Sequence, residues 1–236
     1  MTENLTPASE RRRPLVVAID GPAASGKSST AKWVARELGL LHVDSGSLYR
    51  AATAAALRVD ADPSRWTEAS VLRAAAGVTM EPGETTFHPH LGGEDMEEEL
   101  RGKSVTANVS LVARMRGVRA WVNARVQQAA EGHAVVVDGR DMGTAVFPKA
   151  RVKVFLIADP WERARRRLMQ RLQRAPDDGE IAEEVEALVQ RDLKDEAQTQ
   201  QAADAMLIDT TFLTQEEQVE RIVAMARQAM KGADRP

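Results

Sequence analysis

The stretch that most limits what this chain can fold into runs from Pro14 to Thr30. Leu15 to Ile19 is a short apolar, β-branched run, the pattern of a parallel strand buried on both faces. Gly21, Pro22, Ala23, Ala24, Ser25, Gly26, Lys27 and Ser28 then satisfy G-x-x-x-x-G-K-[ST] at every fixed position, with Ser29 next in line. Beyond Lys27, Ala31, Val34, Ala35 and Leu38 recur at helical spacing, so the glycine loop joins a strand to a helix. That context separates a phosphate-binding loop from a chance match. Gly21 and Gly26 let the backbone curl so that successive N–H groups point at phosphate oxygens. The helix N-terminus adds the positive end of its dipole. Lys27 reaches the β and γ phosphates, and the Ser28 hydroxyl is placed to ligate Mg²⁺. Residues 21–29 therefore predict a nucleoside triphosphate site.

The rest of the chain reads as α/β. Short strands at 41–43, 133–138, 152–158 and 206–209 alternate with helical segments, the last from Thr214 to Met230. That alternation predicts a doubly wound parallel sheet. Ser45 reads as the cap of the second helix. Residues 60–105 change character: Asp62-Pro63 opens a helix through Leu72, two short strands follow at 77–80 and 85–91, and then comes the acidic run Glu94 to Glu99. This segment reads as an inserted, mobile lobe. The expected division is a flexible tail at 1–13, a core of 14–59 and 106–236, the insertion at 60–105, and a lid at 160–180 within the core. Residues 106–131 read as one or two helices with Val109, Val112, Met115, Val118, Val122 and Val126 inward.

Composition narrows the partners. A net charge of −3 argues against a nucleic-acid surface, and the Arg11-Arg12-Arg13 run reads as a solvated tail. There are no cysteines, which excludes disulfides and thiolate metal sites and fits a reducing cytoplasm. Met1 to Arg13 lacks the apolar core of a signal peptide, and no apolar run approaches the ~20 residues that span a bilayer. The expectation is a soluble, cytoplasmic monomer acting on small molecules, without membrane or nucleic acid. His88 and His90 read as surface residues rather than a metal site, for want of carboxylate or thiolate partners.

Two further segments carry chemistry. Val135-Val136-Val137-Asp138 is a buried strand ending in a carboxylate, the pattern in which Asp138 supports Mg²⁺ beside the phosphate loop. The polar loop from Gly139 to Thr144 follows at the carboxyl end of that strand, where open α/β sheets bind ligands. Pro160 to Arg174 holds six arginines (Arg163, Arg165, Arg166, Arg167, Arg171 and Arg174) against Glu162. Trp161, Ala164, Leu168 and Leu172 read as its buried stripe. Arg163, Arg166 or Arg167, Arg171 and Arg174 then share a polar side, and Arg166 is taken as the one that closes over the transferring phosphoryl group. In the next helix Val185, Leu188 and Val189 face inward. Arg191, Asp195 and Gln198 share the other face, and by spacing alone the Arg191–Asp195 pair reads as a plain surface salt bridge.

With these residues in view, the chain from residue 15 onward resembles the bacterial cytidylate kinases, within the nucleoside monophosphate kinases. The resemblance rests on Ile19-Asp20-Gly21-Pro22, on Asp44-Ser45-Gly46-x-x-Tyr49-Arg50, on Gly93-Glu94-Asp95, and on Asp138 to Thr144 followed by Val146-Phe147-Pro148. The D-S-G-x-x-Y-R and D-G-R-D-M-G-T blocks separate that family from adenylate and shikimate kinases. The resemblance implies that Ser45, Ser110, Arg119 and Asp141 recognise cytosine. It places Tyr49, Arg191 and Asp195 around the ribose, with Asp44 in the same block, and Arg50, Arg140 and Arg191 on the acceptor phosphate. Lys27, Arg140 and Asp138 would carry catalysis, with ATP the donor and CMP or dCMP the acceptor. The chain departs from the family at Gln198, where an arginine is usual, and the connection after it is shortened. Gln198 lacks a guanidinium's charge and fork, so weaker or less selective pyrimidine binding is expected. The rival readings are a kinase for UMP or another small acceptor, and a non-catalytic nucleotide-dependent binding module.

Overall fold

A computed structural model describes residues 14–232; the expected tail and its three arginines lie outside the described residues. The chain opens with β1 (Val16–Asp20), α1 (Lys27–Leu38), β2 (Leu41–Asp44) and α2 (Ser45–Val59). The insertion contributes α3 (Glu68–Ala75), β3 (Val78–Pro82), β4 (Phe87–Leu91), β5 (Glu94–Asp95) and α4 (Glu97–Leu100). Two helices, α5 (Lys103–Ala113) and α6 (Arg116–Ala129), lead back to β6 (Val135–Gly139) and β7 (Val152–Ile157). The helical hairpin α7 (Pro160–Leu172) and α8 (Asp178–Asp195) precedes β8 (Met206–Asp209) and α9 (Gln215–Gly232).

The main sheet has the order β2-β6-β1-β7-β8 and every pairing is parallel. Apolar residues alternate between two buried faces, as a parallel sheet covered on both sides requires. Ala18, Val43, Val135 and Val137 pack beneath α2 and α6, whereas Val17, Ile19, Val136, Val154 and Leu156 pack beneath α1 and α9. The register sets Asp44 opposite Asp138 and Asp20 opposite Gly139. Three carboxylates thus sit side by side at the carboxyl ends of adjacent strands, the edge at which open α/β sheets hold ligands.

The insertion forms a separate antiparallel sheet, β3-β4-β5. Its apolar residues Val71, Val78, Phe87 and Met96 nevertheless belong to the same cluster as Leu48 and Ala52 of α2. A bridge between His42 and Thr86 stitches it to the edge of the main sheet.

Local chemistry corrects several expectations. Asp44, not Ser45, caps α2, because its carboxylate reaches the Gly46 amide at 2.8 Å. Pro63 starts only a single turn; α3 begins later, capped reciprocally by Thr67 and Ser70. Part of the acidic run becomes β5, and the rest forms α4, which packs Leu100 inward. The inward valines of α5 and α6 are buried as the spacing implies. Trp161 is 41% exposed, while Arg163, expected on the polar side, is 5% exposed and helps to line the interior. Val189 is likewise exposed, and Ile181 and Leu188 hold the inner face of α8. Among the described residues, no helix is long and apolar enough to cross a membrane.

Candidate active site

The phosphate loop is built where only glycine fits. At Gly21, with φ +149°, a Cβ would lie 2.2 Å from the Leu156 carbonyl oxygen of the neighbouring strand. Gly26 closes the loop in the left-handed region at φ +87° and leads directly into α1. Ala24 also adopts positive φ, at 57°, a strained choice held by its surroundings. The hairpin supplies that support. Arg163 donates to the Ala23 carbonyl at 3.0 Å and pairs with Asp192 at 2.5 Å, while Asp192 also accepts from the Ala23 amide at 3.2 Å. Ala23 packs against Ala164, Leu168, Ile181 and Leu188. The hairpin therefore braces the loop directly.

Lys27 folds back over the loop and donates to the Pro22 carbonyl at 2.7 Å. Burial, with Arg140 nearby, draws its pKa down to about 7. An ammonium so poor in counter-charge is matched by incoming phosphate oxygens. The Ser28 hydroxyl donates to Asp138 Oδ2 at 2.6 Å, so a hydroxyl and a carboxylate stand together beside the loop. Hard oxygen donors of this kind fit Mg²⁺.

Asp20 and His42 are functional neighbours that the sequence reading passed over. The Asp20 carboxylate accepts from the Met142 and Gly143 amides at 2.8 and 2.7 Å, which fixes the wide π-helical turn of residues 142–146 behind Asp141. Burial still raises its pKa to about 6. Asp44 rises to about 6 as well, through burial and then the charge of Asp138. His42 bonds the other oxygen of Asp138, Oδ1, at 2.7 Å. The signal for Asp20 was its place between the strand and the first glycine. For His42 it was a polar residue inside a strand buried on both faces.

Across Gly21 from the loop, cationic side chains converge. Arg140 donates from Nη1 to the Gly21 carbonyl at 2.7 Å and from Nη2 to Asp195 at 2.9 Å. Arg191 lies 3.8 Å from the same carboxylate, and its buried Nε has no hydrogen-bond partner. Burial, then Arg140 and, despite Asp195, the further guanidiniums of Arg167 and Arg50, draws the Arg191 pKa down. Arg50 is also lowered, by burial and then by Arg167 and Arg101 against Asp44. Its side chain donates to the Leu100 carbonyl and the Thr106 hydroxyl, both at 3.2 Å. These cations form a site for an anion.

Beside that cluster, Arg119 donates to Asp141 at 2.5 Å and to the Gln198 carbonyl oxygen at 2.6 Å. Burial raises the Asp141 pKa, and Arg119 opposes the rise. Tyr49 faces Arg119, Asp141 and Asp195; burial pushes its hydroxyl up to about 12. The structure thus brings Tyr49, Arg50, Arg119, Arg140, Asp141, Arg191 and Asp195 to one cleft. Ser45 lies at its floor and donates to the Asp138 carbonyl at 2.8 Å. Ser110 is half-buried on α5, and its carbonyl accepts from Arg114 at 3.1 Å, a bond that does not join it to the Arg119–Asp141 pair.

The expected role of Arg166 is not what the structure displays. Its Nη2 donates to the carbonyls of Thr210 and Thr211 at 2.7 and 3.0 Å, tying α7 to the loop after β8. The adjacent Arg167 is the hairpin residue whose charge reaches Arg50 and Arg191. One residue is about 100° around a helix, and that rotation decides which arginine meets the cleft. Asp195 is no plain surface partner of Arg191, since its shorter bond is to Arg140. His88 does have carboxylate neighbours: its Nδ1 lies 3.0 Å from Glu97, with Asp95 close by.

Comparison with known proteins agrees with this geometry. The cytidylate kinase family model matches residues 17–228. The cytidylate kinase of Bacillus licheniformis is 41% identical, over 89% of this chain and 94% of its own. That of Chlorobaculum tepidum is 40% identical, over 88% and 91% respectively. That of Limosilactobacillus reuteri is 38% identical, over 88% and 93%. Among solved structures, shikimate kinase from Bacteroides thetaiotaomicron aligns over 92% of this chain and 98% of its own, at 16% identity and a TM-score of 0.44. A match that distant says nothing of the acceptor. The full-length family match and the sustained identity do, and on them this chain belongs to the cytidylate kinase family.

Proposed function

We propose that the protein transfers the γ-phosphoryl group of ATP to CMP or dCMP, releasing ADP and CDP or dCDP. The observation that carries this reading is Arg140, whose guanidinium bonds the Gly21 carbonyl of the donor loop and Asp195 of the acceptor cleft at once. A single cation between two anionic substrates offsets their repulsion and holds them in line.

The acceptor phosphate has a second pKa of ~6 and is mostly dianionic at neutral pH, so the reaction needs no general base. The chain supplies alignment and charge instead. Residues 21–29 and Lys27 hold the triphosphate; Arg50, Arg140 and Arg191 hold the acceptor phosphate, with Arg167 from the hairpin. Ser28 and Asp138 would hold Mg²⁺, which would neutralise donor-phosphate charge when bound. Asp141 accepts from the cytosine N4 amino group, and Arg119 donates toward N3 and O2. Uracil places a carbonyl where cytosine has N4, setting the Asp141 carboxylate against another acceptor, a mismatch of ~2–4 kcal/mol. Tyr49, Asp195 and Asp44 line the nucleoside, with Ser45 beneath. In this reading the insertion at 60–105 covers the monophosphate, residues 160–180 form the lid, and the protein works as a cytoplasmic monomer on small nucleotides.

A panel of CMP, dCMP, UMP and AMP, assayed for acceptor-dependent ADP release, tests the proposal. CMP and dCMP are expected to lead. Equal or faster turnover of UMP hands the site to the rival acceptor. ADP release indifferent to every monophosphate leaves only a nucleotide-dependent binding module.

A further inference from the structure

His42 stands out because nothing in the phosphoryl-transfer scheme uses it. A histidine on β2 is 4% exposed, within a sheet whose buried side chains are mostly aliphatic. Both its ring nitrogens are engaged. Nδ1 lies 3.0 Å from Thr86 Oγ1, and Nε2 lies 2.7 Å from Asp138 Oδ1. With Nε2–H donating to Asp138, Nδ1 meets the Thr86 hydroxyl, whose oxygen also lies 3.2 Å from the His42 carbonyl. The other Asp138 oxygen takes the Ser28 hydroxyl at 2.6 Å. The result is one unbroken chain, Thr86–His42–Asp138–Ser28, from the inserted sheet to the first residues of α1.

A carboxylate rotates freely about its last bond unless both oxygens are held. Asp138 is held on one side by Ser28, which must be free to turn toward a metal, and on the other by His42. We propose that His42 is a positioning residue: it fixes the Asp138 carboxylate for the metal that accompanies ATP, and through Thr86 it couples that carboxylate to the insertion covering the acceptor. The inference rests on the reading of Ser28 and Asp138 as the Mg²⁺ site. Outer partners of this kind orient a ligand without touching the metal, and their loss commonly costs about 10- to 100-fold in metal affinity. The link to Thr86 extends the effect beyond the donor site. Movement of the insertion acts on the Asp138 carboxylate through one imidazole ring.

The test is calorimetric binding of ATP with Mg²⁺ and with EDTA, alongside thermal unfolding of each unliganded variant. The readout is the ratio of the two ATP affinities, which a merely structural role would not move. His42→Leu is expected to shrink the Mg²⁺-dependent gain by about tenfold, with affinity in EDTA unchanged. His42→Gln, which keeps a donor toward Asp138, restores most of the gain. Thr86→Val shifts the ratio in the same direction by a smaller factor, and the Thr86→Val/His42→Leu pair is no worse than His42→Leu alone. Asp138→Asn separates the two levels of the reading. If it lowers the ratio and His42→Leu does not, the positioning role is wrong and the metal site stands. If Asp138→Asn leaves the ratio untouched, the metal site and the role of His42 fall together. Additive effects of Thr86→Val and His42→Leu overturn the coupling to the insertion.

Discussion

Two groups of arginines in this molecule treat charge in opposite ways. On α7 and in the turn after it, every guanidinium has an acid within reach, six arginines on four carboxylates. Arg163 pairs with Asp192, Arg165 and Arg166 with Glu162, Arg167 and Arg171 with the buried Glu184, and Arg174 with Glu180. In the cleft, Arg140 and Arg191 share Asp195, Arg50 spends its donors on a carbonyl and a hydroxyl, and Arg191 Nε is buried with no partner. The hairpin uses arginine to hold helices and the phosphate loop in place. The cleft keeps cations short of counter-charge, a cost to the free protein that an anionic ligand removes. Density of basic residues along the chain therefore locates a scaffold here, and shortage of carboxylates locates the site; an unpartnered nitrogen alone does not, since Arg163 Nε in the hairpin is also buried without one.

The sharpest break of that comparison comes from removing charge on each side of it. Lys27→Ala should lower turnover by about 10³-fold or more with unfolding unchanged, because the cation acts where transition-state charge develops. Arg140→Ala and Arg191→Ala should each cost about 10²- to 10³-fold in kcat/KM for CMP. Arg174→Ala and Arg165→Ala, from exposed hairpin pairs, should stay within about twofold, since such pairs contribute little. Steady-state kinetics on the set decides it. Arg165→Ala or Arg174→Ala as damaged as Arg191→Ala would restore the six-arginine lid as a catalytic surface.

Asp192 sharpens the structural half of the contrast. Asp192→Ala leaves Arg163 buried without its carboxylate and frees the Ala23 amide. Breaking a buried pair from one side costs about 3–5 kcal/mol; because Asp192 is partly exposed, about 2–3 kcal/mol is expected by denaturant unfolding. A loss in KM for ATP should accompany it as the loop loosens. Unchanged stability would mean that the hairpin rests on the loop without bracing it.

How much of this was legible in the chain follows from which interactions are local. The loop, Asp138 and the parallel sheet were readable because glycine spacing and apolar runs are consecutive in sequence. Arg119, Asp141, Arg191 and Asp195 were reachable only through family resemblance, since residues from α6, the loop after β6 and α8 meet by folding. Helical spacing put Arg163 on a polar face and left Arg166 and Arg167 unresolved; neither the burial of Arg163 nor the turn of Arg166 toward Thr210 can be read from periodicity. His42 and Asp20 were missed for the same reason. Their partners, Thr86 and Asp138 for one and the Met142 and Gly143 amides for the other, lie at least 44 residues away.

Lys27 offers a pH test of the same charge shortage. In the free protein its pKa is about 7, lowered by burial and Arg140. Bound phosphates favour the ammonium, so its pKa rises in the complex and ATP binding takes up a proton. Affinity is then greatest below the free-protein value and weakens as pH climbs above about 7, by at most about tenfold per unit for one proton. Calorimetry in buffers of different ionisation heat counts that proton directly. In Lys27→Arg, whose guanidinium stays charged, the slope should flatten. A wild-type affinity that is level between pH 7 and 9 contradicts the shortage at this position.

The smallest effect belongs to Gln198, where the family resemblance leads to the expectation of a cation. Its carbonyl oxygen accepts from Arg119 at 2.6 Å and helps to aim that guanidinium at Asp141. Gln198→Arg removes this acceptor, at a loss of about 1 kcal/mol, and sets two guanidiniums face to face in the free protein. Both changes raise the free state, and a cytosine carbonyl with the acceptor phosphate nearby relieves them, so the difference between free and bound grows. The substitution should therefore raise kcat/KM for CMP a few-fold over the natural chain and widen the gap to UMP, while Tm falls slightly. Measuring CMP, dCMP and UMP side by side checks both parts. No gain with CMP would mean that Gln198 is fitted to Arg119 and that this cleft selects its pyrimidine through the Arg119–Asp141 pair without a third cation.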